Sequence, residues 1–69
     1  MMGRCVGWFE EKGYGFLRPE GGQRGADIFV NRRVLLGGLL SLEQGQRLEY
    51  EIGACLKTGR REARNVKAI

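Results

Sequence analysis

The sequence predicts an all-β protein, a small closed barrel of five short strands within 69 residues. Three observations carry that reading. Apolar and polar side chains alternate with a period of two in several short runs, as they do in half-buried strands. Turn formers separate those runs, with 12 Gly and 1 Pro in the chain. No stretch holds the i, i+3, i+4 apolar spacing of a long helix. A chain of about this length buries only about 60% of its unfolded surface, so residues 1–69 are expected to form a single small domain.

The first strand runs from Arg4 to Phe9 and ends at the charged turn Glu10-Glu11-Lys12-Gly13. Strict alternation sets Val6 and Trp8 on one side and Cys5, Gly7 and Phe9 on the other, while a bulge near Gly7 would turn Val6 inward and Trp8 outward. Tyr14 to Arg18 forms the second strand, with Tyr14, Phe16 and Arg18 sharing one face and Gly15 and Leu17 the other, and Pro19 stops it. After the flexible loop of residues 20–25, Ala26 to Asn31 forms the third, with Asp27, Phe29 and Asn31 opposite Ile28 and Val30. Antiparallel pairing of the second and third strands makes Leu17, Ile28 and Val30 the core face. Tyr14, Phe16 and Phe29 then share the solvent face.

Val34 to Leu42 is apolar but interrupted by Gly37-Gly38, so it reads as a long connection with room for one helical turn and leucines that plug a barrel end. Arg47 to Ile52 alternates, with Leu48, Tyr50 and Ile52 on the inner side, as the fourth strand. The turn Lys57-Thr58-Gly59-Arg60 leads to the fifth, Glu62 to Ile69, in which Ala63 and Val66 face inward. Five antiparallel strands with one long connection after the third fit an OB-fold barrel, with an SH3-like barrel as the alternative topology.

Composition narrows the function. With no His, the commonest general base and metal ligand is missing, so nucleophile pairs built on His and His-ligated zinc are excluded and no metal or cofactor is expected. Cys5 and Cys55, 2 in all and fifty residues apart, read as reduced thiols rather than a zinc site or disulfide framework. The chain opens without a signal-peptide pattern, and its longest apolar run, Val34 to Leu40, is too short for a membrane span, so a soluble cytoplasmic protein that is not an enzyme is expected. The formal charge of +4 comes from 12 Lys and Arg against 8 Asp and Glu. It belongs to the C-terminal end: residues 1–56 hold 7 basic and 7 acidic side chains, residues 57–69 hold 5 and 1.

Five of the six aromatics, Trp8, Phe9, Tyr14, Phe16 and Phe29, fall within a Gly-rich window of 22 residues. They are either rings displayed on a flat surface or the core of a small β-protein. Lys12-Gly13-Tyr14-Gly15-Phe16-Leu17 is the most specific run: a basic turn, then two rings at i and i+2 with only Gly between them. Bases of a single strand stack on such rings for about 1–3 kcal/mol each, with little regard to sequence.

At this point the chain resembles the cold-shock domain family. Val6-Gly7-Trp8-Phe9, Lys12 to Leu17 and Asp27 to Val30 look like that family's first three strands with its two RNA-binding motifs; Leu42 to Gln46 and Ala63 to Val66 resemble its later strand boundaries. The resemblance implies an OB-type barrel that binds single-stranded RNA or DNA, as a chaperone or antiterminator. It implies base stacking by Trp8, Tyr14, Phe16 and Phe29, phosphate contact by Lys12, and Phe9 at the platform edge.

Gly7 stands where the family usually has Lys, Glu10 where it has Asn, and Asn31-Arg32 where it has His-Phe, and the turn after Phe9 is one residue shorter. Two ring surfaces are thereby missing, at a cost of about 2–6 kcal/mol of stacking. Arg32 can return part of it on a base or a phosphate, and Asn31 can hydrogen-bond a base edge. Arg60, with Lys57, Arg61, Arg64 and Lys67, either extends the groove or forms a solvated hairpin. Binding that is weaker and more salt-dependent than the family norm is expected, with single-stranded nucleic acid as partner and no small-molecule substrate. A barrel that turned the same face toward a protein partner is the alternative.

Overall fold

Alternating burial organises the chain into β1 (Met2–Phe9), β2 (Tyr14–Pro19), β3 (Ile28–Asn31), β4 (Arg47–Ala54) and β5 (Arg61–Ala68), with one 3-10 turn at Arg32–Val34. The computed structural model describes residues 1–22, 27–54 and 59–69. The expected start of the third strand at Ala26, the Cys55 thiol and the Lys57-Thr58 half of the last turn lie outside the described residues.

The strands close in the order β1-β2-β3-β5-β4, with β1 pairing β4 to complete the ring. This is the five-stranded OB-type barrel, not the SH3-like alternative. Four junctions are antiparallel; the fifth, between β3 and β5, is parallel, with Phe29 opposite Glu62 and an isolated bridge from Leu35 to Val66 continuing it. Closure leaves no long strand edge exposed.

The core comprises Cys5, Leu17, Ile28, Val30, Leu42, Leu48, Tyr50, Ala63 and Val66. Leu17, Ile28 and Val30 lie where alternation in β2 and β3 sets them. The leucine-rich connection covers one barrel end through Leu35, Leu39 and Leu42, while Leu36 and Leu40 stay exposed, so only part of that run acts as a plug.

Two irregularities redirect side chains. In β1, Cys5 pairs with Leu17 and Gly7 with Phe16, which leaves Val6 as the extra residue of a bulge. The inward position expected of Val6 belongs to Cys5, because the register sets Cys5 opposite the core residue Leu17; Val6 is half-buried and outside the core cluster. In β5 the register slips between the Glu49–Lys67 and Glu51–Arg64 pairs, and Asn65 takes a left-handed φ of 50° there. That bulge lets Ala63 and Val66, three residues apart, both face inward. Asn65 is anchored by Nδ2 donating to Glu51 Oε2 at 2.7 Å.

Candidate nucleic-acid interface

Directly opposed residues on neighbouring strands share a face, so the pairings lay out the outer surface as a grid. One rung is Phe9, Tyr14 and Asn31; the next is Gly7, Phe16 and Phe29, with Glu62 of β5 at its far end. The rings of Phe9, Tyr14, Phe16 and Phe29 form one contiguous cluster. Phe9 meets Tyr14 at 5.4 Å between centroids, Tyr14 meets Phe29 at 5.5 Å and Phe16 at 6.3 Å, and Phe16 lies edge-on to Phe29 at 6.1 Å. Such contacts contribute about 0.5–1.5 kcal/mol each beyond area burial and hold the rings in fixed tilts. Tyr14, Phe16 and Phe29 are half-buried and Phe9 is exposed, so each ring keeps surface open to solvent.

Gly15 is the spacer on which this arrangement depends. It lies buried opposite Trp8, and a Cβ there would run into the Gly7 backbone oxygen and the Trp8 indole. Only Gly lets β1 and β2 approach closely enough to bring Phe9 against Tyr14.

Trp8 is the main departure from the expected arrangement. Past the Val6 bulge it falls on the inner side with Gly15, packs against the core and is half-buried, so it does not stand outward beside Tyr14 and Phe16. Gly7 holds the outward place opposite Phe16. The Trp8 indole Nε1 donates to Glu10 Oε2 at 2.6 Å. Glu10 also receives Arg32, whose Nη2 donates to the Glu10 backbone oxygen at 2.7 Å and lies 3.2 Å from Oε1. The Arg32 backbone N–H donates to Gly13 O at 2.8 Å, which ties the 3-10 turn to the β1–β2 turn. Arg32 is thus brought to the platform edge, but its guanidinium is engaged by a carboxylate.

Asn31 stands opposite Tyr14 and caps the 3-10 turn through Oδ1, which accepts from Arg33 N at 2.9 Å. Lys12 Nζ lies 6.0 Å from the centroid of the Phe9 ring, at the end of the platform where the turn meets it. Arg60 is exposed directly before β5. Chemically, the site offers four ring faces or edges, one cation at the turn, and the amide donors of Asn31. It is a surface suited to flat π-systems joined by an anionic chain.

The bridging part played by Glu10 was not read from the sequence. Its one signal there is the acid in a turn otherwise matched to a basic motif.

The sequence is similar to a known domain family and to known proteins. The family model described as the 'Cold-shock' DNA-binding domain matches residues 2–69. A probable cold shock protein A of Mycobacterium tuberculosis is 48% identical over 50 residues, covering 70% of this chain and 72% of that protein. Cold shock protein CspA of Rhizobium meliloti is 37% identical over 70 aligned positions, covering 99% of each. Cold shock-like protein CspE of Escherichia coli is 45% identical over 49 residues, 68% of each chain.

Proposed function

The chain belongs to the cold-shock domain family, whose domains bind nucleic acid and are not enzymes, and from that premise we propose that it binds single-stranded RNA or DNA with low sequence specificity by stacking bases on Phe9, Tyr14, Phe16 and Phe29. The contiguous ring cluster on the outer face of β1, β2 and β3 is the observation that carries this reading. Trp8 adds its exposed edge, Lys12 meets phosphate beside Phe9, Asn31 donates to a base edge, and Arg32 contacts phosphate when Glu10 releases it. Arg60 extends the basic side. In the cell this activity is that of an RNA chaperone or antiterminator-like regulator in the cytoplasm.

Four rings supply about 4–12 kcal/mol of gross stacking, before the costs of ordering the strand. Phe16→Ala is the sharpest test, because Phe16 touches two other rings yet lies outside the core cluster. Titration with labelled oligonucleotides should show binding weakened by about 1–3 kcal/mol, with the unfolding transition retained. Unchanged binding would exclude the stacking platform. Contact with about 3–5 phosphates gives log K against log salt a slope of about −2 to −3.5. A flat salt response would instead favour an apolar protein partner.

A further inference from the structure

Below the ring rungs, the outer grid continues into arginine. Alternation along β2 sets Arg18 one rung beyond Phe16, about 7 Å along the strand. Arg4 of β1 stands directly opposite Arg18, and Arg47 of β4 directly opposite Arg4. Three guanidinium side chains therefore start from adjacent strands in one row, about 5 Å from strand to strand. They line a surface cleft together with Glu20, Gly21 and Gly22.

Like charges placed directly opposite one another are destabilising. Two members of the row have acidic neighbours that relieve this: Arg18 forks onto Asp27, Nε to Oδ1 at 2.9 Å and Nη2 to Oδ2 at 3.4 Å, and Arg47 lies 3.6 Å from Glu20. Arg4, between them, is exposed and has no hydrogen-bond or ion-pair partner among the described residues. Among the described residues its guanidinium donors are unused, in the middle of a cationic row. The Arg47–Glu20 pair is more than half exposed on both sides and is readily exchanged for another anion.

We propose that Arg4, flanked by Arg18 and Arg47, is a phosphate site that takes the backbone of the same single strand where it leaves the ring platform. The proposal rests on the base-stacking reading above and adds a direction to it. Along β2 the platform has Lys12 at one end and the arginine row at the other, while Glu62 closes the β5 side with negative charge. A strand whose bases lie on Phe16 and Phe29 thus continues onto Arg18 and Arg4, where a phosphodiester accepts the fork of Arg4. Inorganic phosphate offers the same chemistry, and the test separates the two.

Arg4→Ala and Arg4→Lys are compared with the unaltered protein on labelled oligo-dT of about four and about ten nucleotides, across a salt series. Arg4→Ala should leave the short oligonucleotide bound as before, weaken the long one about threefold to tenfold at low salt, and make the long one's salt slope shallower by about 0.7. Arg4→Lys should keep most of that slope. The unliganded melting midpoint of Arg4→Ala should be equal or higher, because a repulsive contact is removed.

Equal weakening of both lengths, or no change in either, overturns the proposal. So does a result in which inorganic phosphate raises the melting midpoint through Arg4 while the length effect is absent. Phe16→Ala weakens both lengths if the stacking reading holds. Failure of the unaltered protein to bind either oligonucleotide therefore counts against that reading itself, not against the arginine row alone.

Discussion

One carboxylate, Glu10, joins three parts of the site. It accepts the Trp8 indole N–H, holds Arg32 across 22 residues of sequence, and lies in the turn that carries Lys12. Its side chain holds Arg32 at 3.2 Å, the place that the proposed complex gives to a phosphate. Both partners are substantially exposed, so the pair itself stabilises the fold by no more than about 1 kcal/mol. On the proposed reading Glu10 also opposes ligand binding, because an anion beside a phosphate path repels the ligand. Glu10→Gln keeps a hydrogen-bond acceptor for Trp8 and removes the charge. It should tighten oligonucleotide binding by about 0.5–1 kcal/mol and steepen the log-salt slope by about 0.7, read by titration at several salt concentrations. An unaltered slope would show that Arg32 does not reach phosphate. The sequence displays Glu10 as one charge in a turn; its partnership with Arg32 depends on the fold bringing β3 beside that turn.

The bulge in β1 decides which side chains serve the surface. Because the side-chain period is two, one inserted residue exchanges the faces of everything after it. Val6 is that residue, so Cys5 goes inward, Gly7 outward, Trp8 inward and Phe9 outward. Slipping β1 by one residue against β2, with Gly7 as the extra residue, would have displayed Trp8 and given Val6 to the core, the bulged arrangement that alternation left open. Apolar alternation alone cannot choose between them, since Cys5 and Val6 are both acceptable core residues of similar size. The β5 bulge was more legible, because Ala63 and Val66 can share a face only if a residue between them is extra. The outward place of Gly7 leaves a gap in the ring rung: a Cβ there meets nothing within 4 Å. Gly7→Trp should therefore add a stacking surface beside Phe16 and tighten single-strand binding by about 1–3 kcal/mol, measured against an unchanged melting transition. No gain would mean that ligand does not cross the β1 side of Phe16.

Barrel closure governs both stability and the shape of the candidate binding face. It brings β1 against β4, so Arg47 joins Arg4, and β5 against β3, so Glu62 bounds Phe29. It also encloses Tyr50, 1% exposed, whose hydroxyl has no hydrogen-bond partner among the described residues. Burial pushes the Tyr50 phenol above its ordinary pKa, with the Arg61 charge opposing, so the ring stays neutral. An unpaired buried hydroxyl costs about 1–3 kcal/mol, and Tyr50→Phe removes it without changing the ring. Urea unfolding of that variant should show stability raised by about 1 kcal/mol; a loss would show that the hydroxyl is hydrogen-bonded in solution. Local pattern alone settled the number of strands, the Leu17, Ile28 and Val30 core face, and the display of Tyr14, Phe16 and Phe29, because each depends on neighbours along one strand or across one hairpin. The exchange of Trp8 for Gly7 on the surface, the hold of Glu10 on Arg32 and the row of Arg47, Arg4 and Arg18 arose only on folding. They depend on register between strands distant in sequence, and register is an energy of the closed barrel that no single segment carries.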